Sequence, residues 1–246
     1  MLHQQDTRIR RRFRTKNGLT VATSEAMADA LQHIPKDMPW GWSALRVMPT
    51  VRGERIQVME DIELEELGFR PSSAYPSVHL PPGVDVTFAV DVDVVSLHVD
   101  QRQLDVWDMP VEQVLPVAMS NLRRAVGTWK GRAYRDTYEG VPVRMLKGWP
   151  AWASSLVLLP DELKRIFGEE DQIFVAPYTC NLISLPGDTD PDLAADVVDL
   201  FGLVNPPSLL IGMPLFRLRD GQLSTEELPG FPDLPEDDED EDGEPW

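Results

Sequence analysis

Three aspartates in a valine-rich stretch, six and two residues apart, are the first candidates for chemistry. Asp85, Asp91 and Asp93 alternate with apolar residues between positions 84 and 94, so a β-strand would place them on one face. Carboxylates on one face could bind a hard cation, and His98 follows nearby. The solvated face of an antiparallel sheet explains the aspartates equally well. We favour the solvated face and predict no metal site.

Possible nucleophiles occur at three positions. Ser154 and Ser155 precede a run of leucines, and Cys180 is the only cysteine of the chain. A catalytic serine needs a neighbouring base and a strained turn such as the G-x-S-x-G elbow, and that motif does not occur in the sequence. Cys180 with His98 as its base would be a second arrangement, but a lone cysteine beside a strand is typically a small buried apolar residue. We therefore predict no catalytic residue among them.

The segment from position 153 to position 186 contains the densest core-forming sequence. It combines an apolar run that ends at Pro160, a short amphipathic helix over residues 161–167 that ends at Gly168, and two apolar β-branched runs over residues 172–176 and 181–185. A short connection over residues 177–180 joins the two runs, which suits antiparallel strands.

Other hairpins and helices follow from turn and cap residues. The sequence predicts hairpins of residues 44–51 with 55–59, of residues 129–138 with 141–147, and around Asp220-Gly221, and it predicts a helix over residues 191–201. The fold class is therefore α+β, mainly antiparallel sheet built from hairpins with three or four packed helices.

The strongest predicted helix covers residues 108–127. We expect Asp108 to cap its start and Gly127 to follow its end. The apolar residues recur at helical spacing and form one stripe. Asn121 and Arg124 lie off that stripe, and Arg124 in the last turn suits the helix dipole.

Charge is unevenly distributed along the 246 residues. The formal net charge is −18, and the nine acids at Asp233, Glu236–Asp242 and Glu244 account for half of it. Six lysines and arginines between Arg8 and Lys16 give residues 1–20 the opposite sign. This arm could bind nucleic acid or an acidic partner, but a solvated terminus explains it as well and is our preference. A body this acidic is a poor general binder of nucleic acid.

The amino-acid composition also indicates the cellular compartment and excludes some cofactor sites. One cysteine excludes an intrachain disulfide framework and a cysteine-rich zinc site, and it suits a reducing compartment, so we expect a cytoplasmic protein. The sequence has no run of about 18 apolar residues, so it predicts no membrane helix. No apolar segment follows the basic start, so it predicts no secretory signal. We expect no cofactor and no membrane association.

Prolines and charge suggest the domain organisation. We predict a basic arm over residues 1–20, an N-terminal α/β subdomain over residues 21–70, a proline-rich linker over residues 71–83, an α+β domain over residues 84–229 and a disordered acidic tail over residues 230–246.

Several motifs of the predicted main domain resemble one known family. These are Phe88-Ala-Val-Asp91, the helix that ends in Ala118-Met-Ser-Asn-Leu122, Ala153-Ser-Ser-Leu-Val-Leu-Leu-Pro160, the pair from Val175-Ala-Pro177 to Ile183, and Pro214-Leu-Phe-Arg217 with Asp220-Gly221. Over about residues 84–224 the chain resembles the YtpQ-like family of bacterial proteins, whose domain has no known function. That family carries Arg-Asp where this chain has Tyr178-Thr179. The resemblance implies a fold and a compartment, and no mechanism.

Three hypotheses for function follow. The first is a non-catalytic binding or protein-interaction module, adaptor-like or immunity-like, with a protein partner; it depends on the lack of a catalytic motif and on the two oppositely charged ends. The second is a hydrolase that uses Asp91, Asp93 and His98 in a cleft against the Ser154–Ser155 segment. The third is a nucleic-acid-associated protein that acts through its N-terminal arginines. We favour the first.

Overall fold

The chain forms two antiparallel sheets and a layer of helices, which confirms the predicted α+β class. The structure is a computed structural model. It describes residues 32–52, 75–81, 84–92, 95–129, 133–146, 152–168, 171–176, 181–190, 192–194, 196–197, 215–220 and 222–226.

The first sheet, sheet A, is organised around one long central strand. Its strands are β1 (Val47–Arg52), β2 (Val78–Leu80), β3 (Val84–Val92) and β4 (Val95–His98). β1 pairs with one edge of β3, while β2 and β4 pair with the two ends of the opposite edge, all antiparallel. The strand predicted to run to position 94 therefore ends earlier, because Val95 pairs back with Val92.

Alternation along β3 produces one apolar face, as the sequence predicts, but the other face is not solvated along its whole length. Asp85 and Asp91 are half-buried. Between them, Thr87 is fully buried and Ala89 nearly so. The Thr87 hydroxyl donates to the Thr50 carbonyl at 3.3 Å, so the middle of this face has its own buried polar contact. The prediction of a uniformly solvated face is wrong.

The second sheet, sheet B, has six strands in the order β10-β9-β7-β8-β6-β5 and is antiparallel throughout. The strands are β5 (Ala133–Tyr138), β6 (Val141–Leu146), β7 (Gln172–Val175), β8 (Ile183–Pro186), β9 (Leu215–Arg219) and β10 (Gln222–Glu226). The β5–β6 hairpin turns at Glu139 and Gly140, both with positive φ, as expected of a tight two-residue turn. The predicted hairpins at 139–140 and 220–221 are thereby confirmed.

Helices cover the sheets. They are α1 (Trp40–Ser43), α2 (Gln101–Trp107), α3 (Val111–Thr128), a 3₁₀ helix (Ala153–Leu158) and α4 (Pro160–Phe167). Two predicted boundaries are wrong. Asp108 ends α2 in a left-handed conformation with φ 50° instead of capping α3, and Gly127 lies inside the last turn of α3. α2 has no counterpart in the sequence predictions; Asp100 caps it by accepting from the Gln103 backbone N–H.

One apolar core joins both sheets. The valines of β1 and β3 pack with α3, the 3₁₀ helix and the inner face of sheet B, including Phe174 and Phe216. A second cluster covers the other face of sheet B and includes Ala194 and Val197. Sheet A unites strands from either side of the predicted 71–83 linker, because β1 pairs with β3 along six residues and residues 78–80 form β2.

Several predictions concern residues outside the described ranges. They are the basic arm, the first four and the last two residues of the linker, most of the N-terminal subdomain, the strand at 55–59, Asp93, Cys180 and the acidic tail. These remain predictions.

Candidate functional site

The residues of the hydrolase hypothesis are only partly brought together. Asp91 and His98 lie on the same face of sheet A, since Asp91 pairs with Ser96 and His98 pairs with Ala89. The Ser96 hydroxyl donates to Asp91 at 2.6 Å. His98 is exposed, and its ring lies 5.2 Å from the ring of Tyr75. The carboxylate thus contacts a surface serine and the imidazole contacts an aromatic ring.

The serines lie elsewhere. Ser154 and Ser155 are buried in the 3₁₀ helix, and the Ser155 hydroxyl donates to the Pro49 carbonyl at 2.6 Å. The backbone N–H and C=O groups of Met48 and Thr50 face β3. The carbonyl of Pro49, which lies between them, therefore points away from β3. Ser155 therefore lies beyond β1, while His98 lies beyond β3 on β4. Two strand spacings, about 10 Å, already separate β4 from β1, and Ser155 lies farther still, so the predicted cleft between His98 and the serines does not form.

Metal-ligating clusters and membrane-spanning helices are both absent from the described part of the chain. Within it, no group of three or more histidines, cysteines, aspartates or glutamates could hold a metal ion. No helix there has the length and apolarity needed to cross a membrane.

The segment over residues 37–47 is attached to helices α2 and α3 by hydrogen bonds and a ring contact. At its start, the Met38 carbonyl accepts from the Trp107 indole at 2.7 Å, from the Ser43 hydroxyl at 2.9 Å and from the Gln103 amide at 3.3 Å. The Trp40 ring packs against Trp107 with centroids 5.0 Å apart. These contacts hold Met38 in the left-handed region with φ 37°, which an ordinary side chain adopts only when its surroundings enforce it.

The end of this segment is held by α3. We call residues 42–47 the Leu45 turn. The buried Asn121 amide donates to the carbonyls of Ala44, at 2.9 Å, and Val47, at 2.8 Å. Arg124 donates to the Leu45 carbonyl at 3.1 Å and to the Asn121 side-chain oxygen at 2.8 Å. Side chains from α3 thus satisfy three carbonyls of a turn that precedes them by more than 70 residues.

Arg46 contacts another residue of the Leu45 turn, Trp42. Its guanidinium donates to the Trp42 carbonyl at 2.9 Å and lies 4.3 Å above the Trp42 ring. Such cation–π contacts contribute about 0.5–1 kcal/mol at exposed sites. The side chain of Leu45 projects from this frame and is 63% exposed, the highest value among the large apolar residues of the described ranges.

The Leu45 turn and α3 also share an unusual charge. Residues 38–53 and 113–135 contain seven lysines and arginines and none of the 41 acids of the chain. Arg46 and Arg124 belong to these segments and form no ion pair with any described residue. The hydrogen bonds of Arg46 and Arg124 place both side chains at the Leu45 turn. An acid also lies there, because the Asp91 backbone N–H donates to the Arg46 carbonyl at 3.0 Å.

A concave feature lies between the sheets. It is a groove of about 310 Å³. Its walls are mostly apolar and come from β2, α3, the 3₁₀ helix and β10, with Leu80, Pro81, Met119, Leu158 and Leu223 among them. The described residues do not show what would fill it.

The sequence interpretation missed Asn121 and Arg124 as structural residues. It placed Asn121 off the buried stripe, whereas the side chain is 5% exposed. It explained Arg124 by the helix dipole, whereas the guanidinium binds a turn. A buried asparagine must have hydrogen-bond partners, but sequence spacing gives no sign of a partner that lies so far away along the chain.

Comparison with known proteins adds no relative: no family model, no curated protein and no solved structure matches this chain. The resemblance to the YtpQ-like family therefore remains a prediction.

Proposed function

We propose that this protein is a non-catalytic protein-interaction module of the cytoplasm and that the Leu45 turn is its partner-binding surface. The observation that carries the proposal is a 63% exposed leucine on a turn whose carbonyls are held by Asn121 and Arg124. The cytoplasmic assignment is supported by the single cysteine among 246 residues.

The ordered backbone of the Leu45 turn lowers the entropy cost of binding a partner. Association costs conformational entropy when loops and side chains must be ordered, about 0.5–1.5 kcal/mol for each immobilised side chain. In the Leu45 turn the backbone is already ordered by contacts within the protein, so that part of the cost is met during folding. Tryptophan and arginine are also the residue types that contribute most often to binding energy at interfaces, and Trp42 and Arg46 flank the leucine.

Site-specific photo-cross-linking in the source cell tests the proposal. A benzophenone amino acid replaces Leu45 in the full-length protein, and the same amino acid replaces Val106 as the matched control, since Val106 is a 46% exposed apolar residue on α2. We expect a discrete cross-linked protein of the same mass in repeated experiments at position 45 and none at position 106. The absence of a product at position 45, or identical products at both positions, would refute the assignment of this surface.

A further inference from the structure

We propose that the groove between the sheets binds a segment of this same chain, residues 228–236, with the Phe231 side chain inserted between its apolar walls. We call these residues the triplet segment. The inference is independent of the Leu45 turn, because no residue that lines the groove belongs to that turn.

The triplet segment carries a repeat of three residues. It reads Leu228-Pro-Gly230, Phe231-Pro-Asp233 and Leu234-Pro-Glu236, so an apolar residue, a proline and a small or acidic residue recur three times. A polyproline II helix has three residues per turn. In that conformation the three apolar residues lie along one edge and the acids along another. One edge can therefore enter an apolar groove while the acids face water.

The prolines of the triplet segment lower the entropy cost of docking. Proline fixes its own φ near the polyproline II value and restricts the residue before it to the extended region. Leu228, Phe231 and Leu234 each precede a proline, so six of the nine residues are restricted before they dock. Fewer conformations are then lost on binding, which is also why proline-rich peptides suit apolar grooves.

The groove has the size and the lining that one aromatic side chain requires. Its volume of about 310 Å³ lies at the small end of the range for binding pockets, about 300–1,000 Å³. Among its described lining residues none is charged, and Gln222 has the one polar side chain. A polyproline II segment has no internal hydrogen bonds, so its carbonyls are available to the exposed Gln222 amide.

The course of β10 selects Phe231 as the inserted residue. Gln222 and Leu223 at the start of β10 line the groove, and the strand ends at Glu226. Four strand residues span about 13 Å, while five extended residues reach up to about 17 Å. When the chain turns back after β10, Phe231 is therefore the first apolar residue of the triplet segment that can reach the groove, and Leu228 stops short of it.

The apolar residues 198–214 fit the groove less well because of where they are attached. Val197, before them, is buried in the cluster on the other face of sheet B. Leu215, after them, pairs with Glu226 at the end of β10 that lies away from the groove. The triplet segment instead follows directly the strand that lines the groove.

Oxidation of Met119 by hydrogen peroxide measures whether the groove is covered, because Met119 lines it. In the full-length protein we expect Phe231→Ser to raise the oxidation rate of Met119 at least about threefold, read by peptide mass spectrometry, since exposure governs this reaction. Trp246→Ser is the matched control, because it removes an aromatic residue outside the triplet segment, and it should leave the rate unchanged. Met145 is fully buried in sheet B and reports the integrity of the fold.

A free peptide tests the same contact in trans. The peptide has the sequence of residues 227–237 and is added at about 1 mM, the order of the effective concentration that a short tether provides. It should restore the protection of Met119 in Phe231→Ser, and the same peptide with serine in place of Phe231 should not.

Cross-linking identifies the occupant directly. A benzophenone amino acid replaces Phe231 in the full-length protein, and we expect products at Met119, Leu158 or Leu223, all of which line the groove. The same amino acid in place of Trp246 should give none of them. A mixture of isotopically light and heavy protein distinguishes products within one chain from products between two.

The other outcomes overturn the inference. An unchanged Met119 rate in Phe231→Ser, or an equal rise in Trp246→Ser, would show that the triplet segment does not cover the groove. Products that join light and heavy chains would make a second copy the occupant. Equal protection of Met119 by the peptide in the natural protein would show an open groove that takes such a segment from a partner. If Met145 is oxidised as well, Phe231→Ser has unfolded the protein and the cross-link alone decides.

Discussion

Replacement of Asn121 by leucine removes the amide that links α3 to the Leu45 turn. Leucine has the same branching and the same number of side-chain heavy atoms as asparagine and favours a helix slightly more, although its two methyl groups are bulkier than the amide atoms. It removes the donor for the Ala44 and Val47 carbonyls and the acceptor for Arg124. The experiment therefore removes the polar link while the shape of the side chain is kept.

The expected loss can be worked out from these contacts. The hydrogen bond to Val47 is buried and the one to Ala44 is partly buried. A buried acceptor that loses its donor costs about 1–3 kcal/mol. Two acceptors at about 1.5 kcal/mol each give a loss of about 3 kcal/mol in the free energy of unfolding. For a chain of this size, that corresponds to a fall in Tm of about 6–12 °C.

Urea unfolding followed by circular dichroism measures the change. We expect a lower midpoint with an unchanged slope, since the surface exposed on unfolding stays the same. Ser120→Leu is the matched control, because Ser120 is an exposed neighbour on the same helix and the substitution introduces the same side chain; it should change stability by less than about 0.5 kcal/mol. A loss below about 1 kcal/mol for Asn121→Leu would show that the turn is held by something other than this asparagine.

Three further substitutions test other contacts by the same measurement. Ser155→Ala removes the buried donor to the Pro49 carbonyl, and we expect a loss of about 1–2 kcal/mol; no loss would mean that the edge of β1 is satisfied without the serine. Gly187→Ala should destabilise by about 0.5–1.5 kcal/mol, because a Cβ there would collide with the carboxylate of the partly exposed Asp171, which must turn aside. Gly127→Ala should instead stabilise by about 0.5–1 kcal/mol, because Gly127 lies within α3 and a Cβ meets no atom within 4 Å. Equal signs for the two glycine changes would contradict this account of the space around them.

Local signals in the sequence predict local structure well. The β5–β6 hairpin, the Asp220 turn and α4 with its end at Gly168 all form where turn residues and apolar spacing place them. Each is determined by residues close together in the chain. Even β3 was predicted from its alternation, although the early reversal at its end was not, because valines continue past Val92 and do not reveal where pairing begins.

Long-range polar contacts could not be predicted in the same way. Asn121 binds carbonyls 77 and 74 residues away, and Ser155 binds one 106 residues away. Any buried carbonyl that faces a free edge is an equally good acceptor for such a side chain. Which one it meets depends on how the helices pack against sheet A, so the sequence shows only a polar residue beside an apolar stripe.

These contacts share one arrangement: a helical side chain satisfies a carbonyl that no neighbouring strand can reach. Val47 and Pro49 both face the edge of β1 away from β3, and Asn121 and Ser155 supply their donors. An edge satisfied by side chains offers fewer groups for pairing with another chain. Proline at position 49 acts in the same direction, because it has no N–H to offer on that edge. The edge of sheet A is thus protected against pairing, while the turn just before it keeps an exposed leucine, and the proposed recognition depends on that side chain and the two arginines around it.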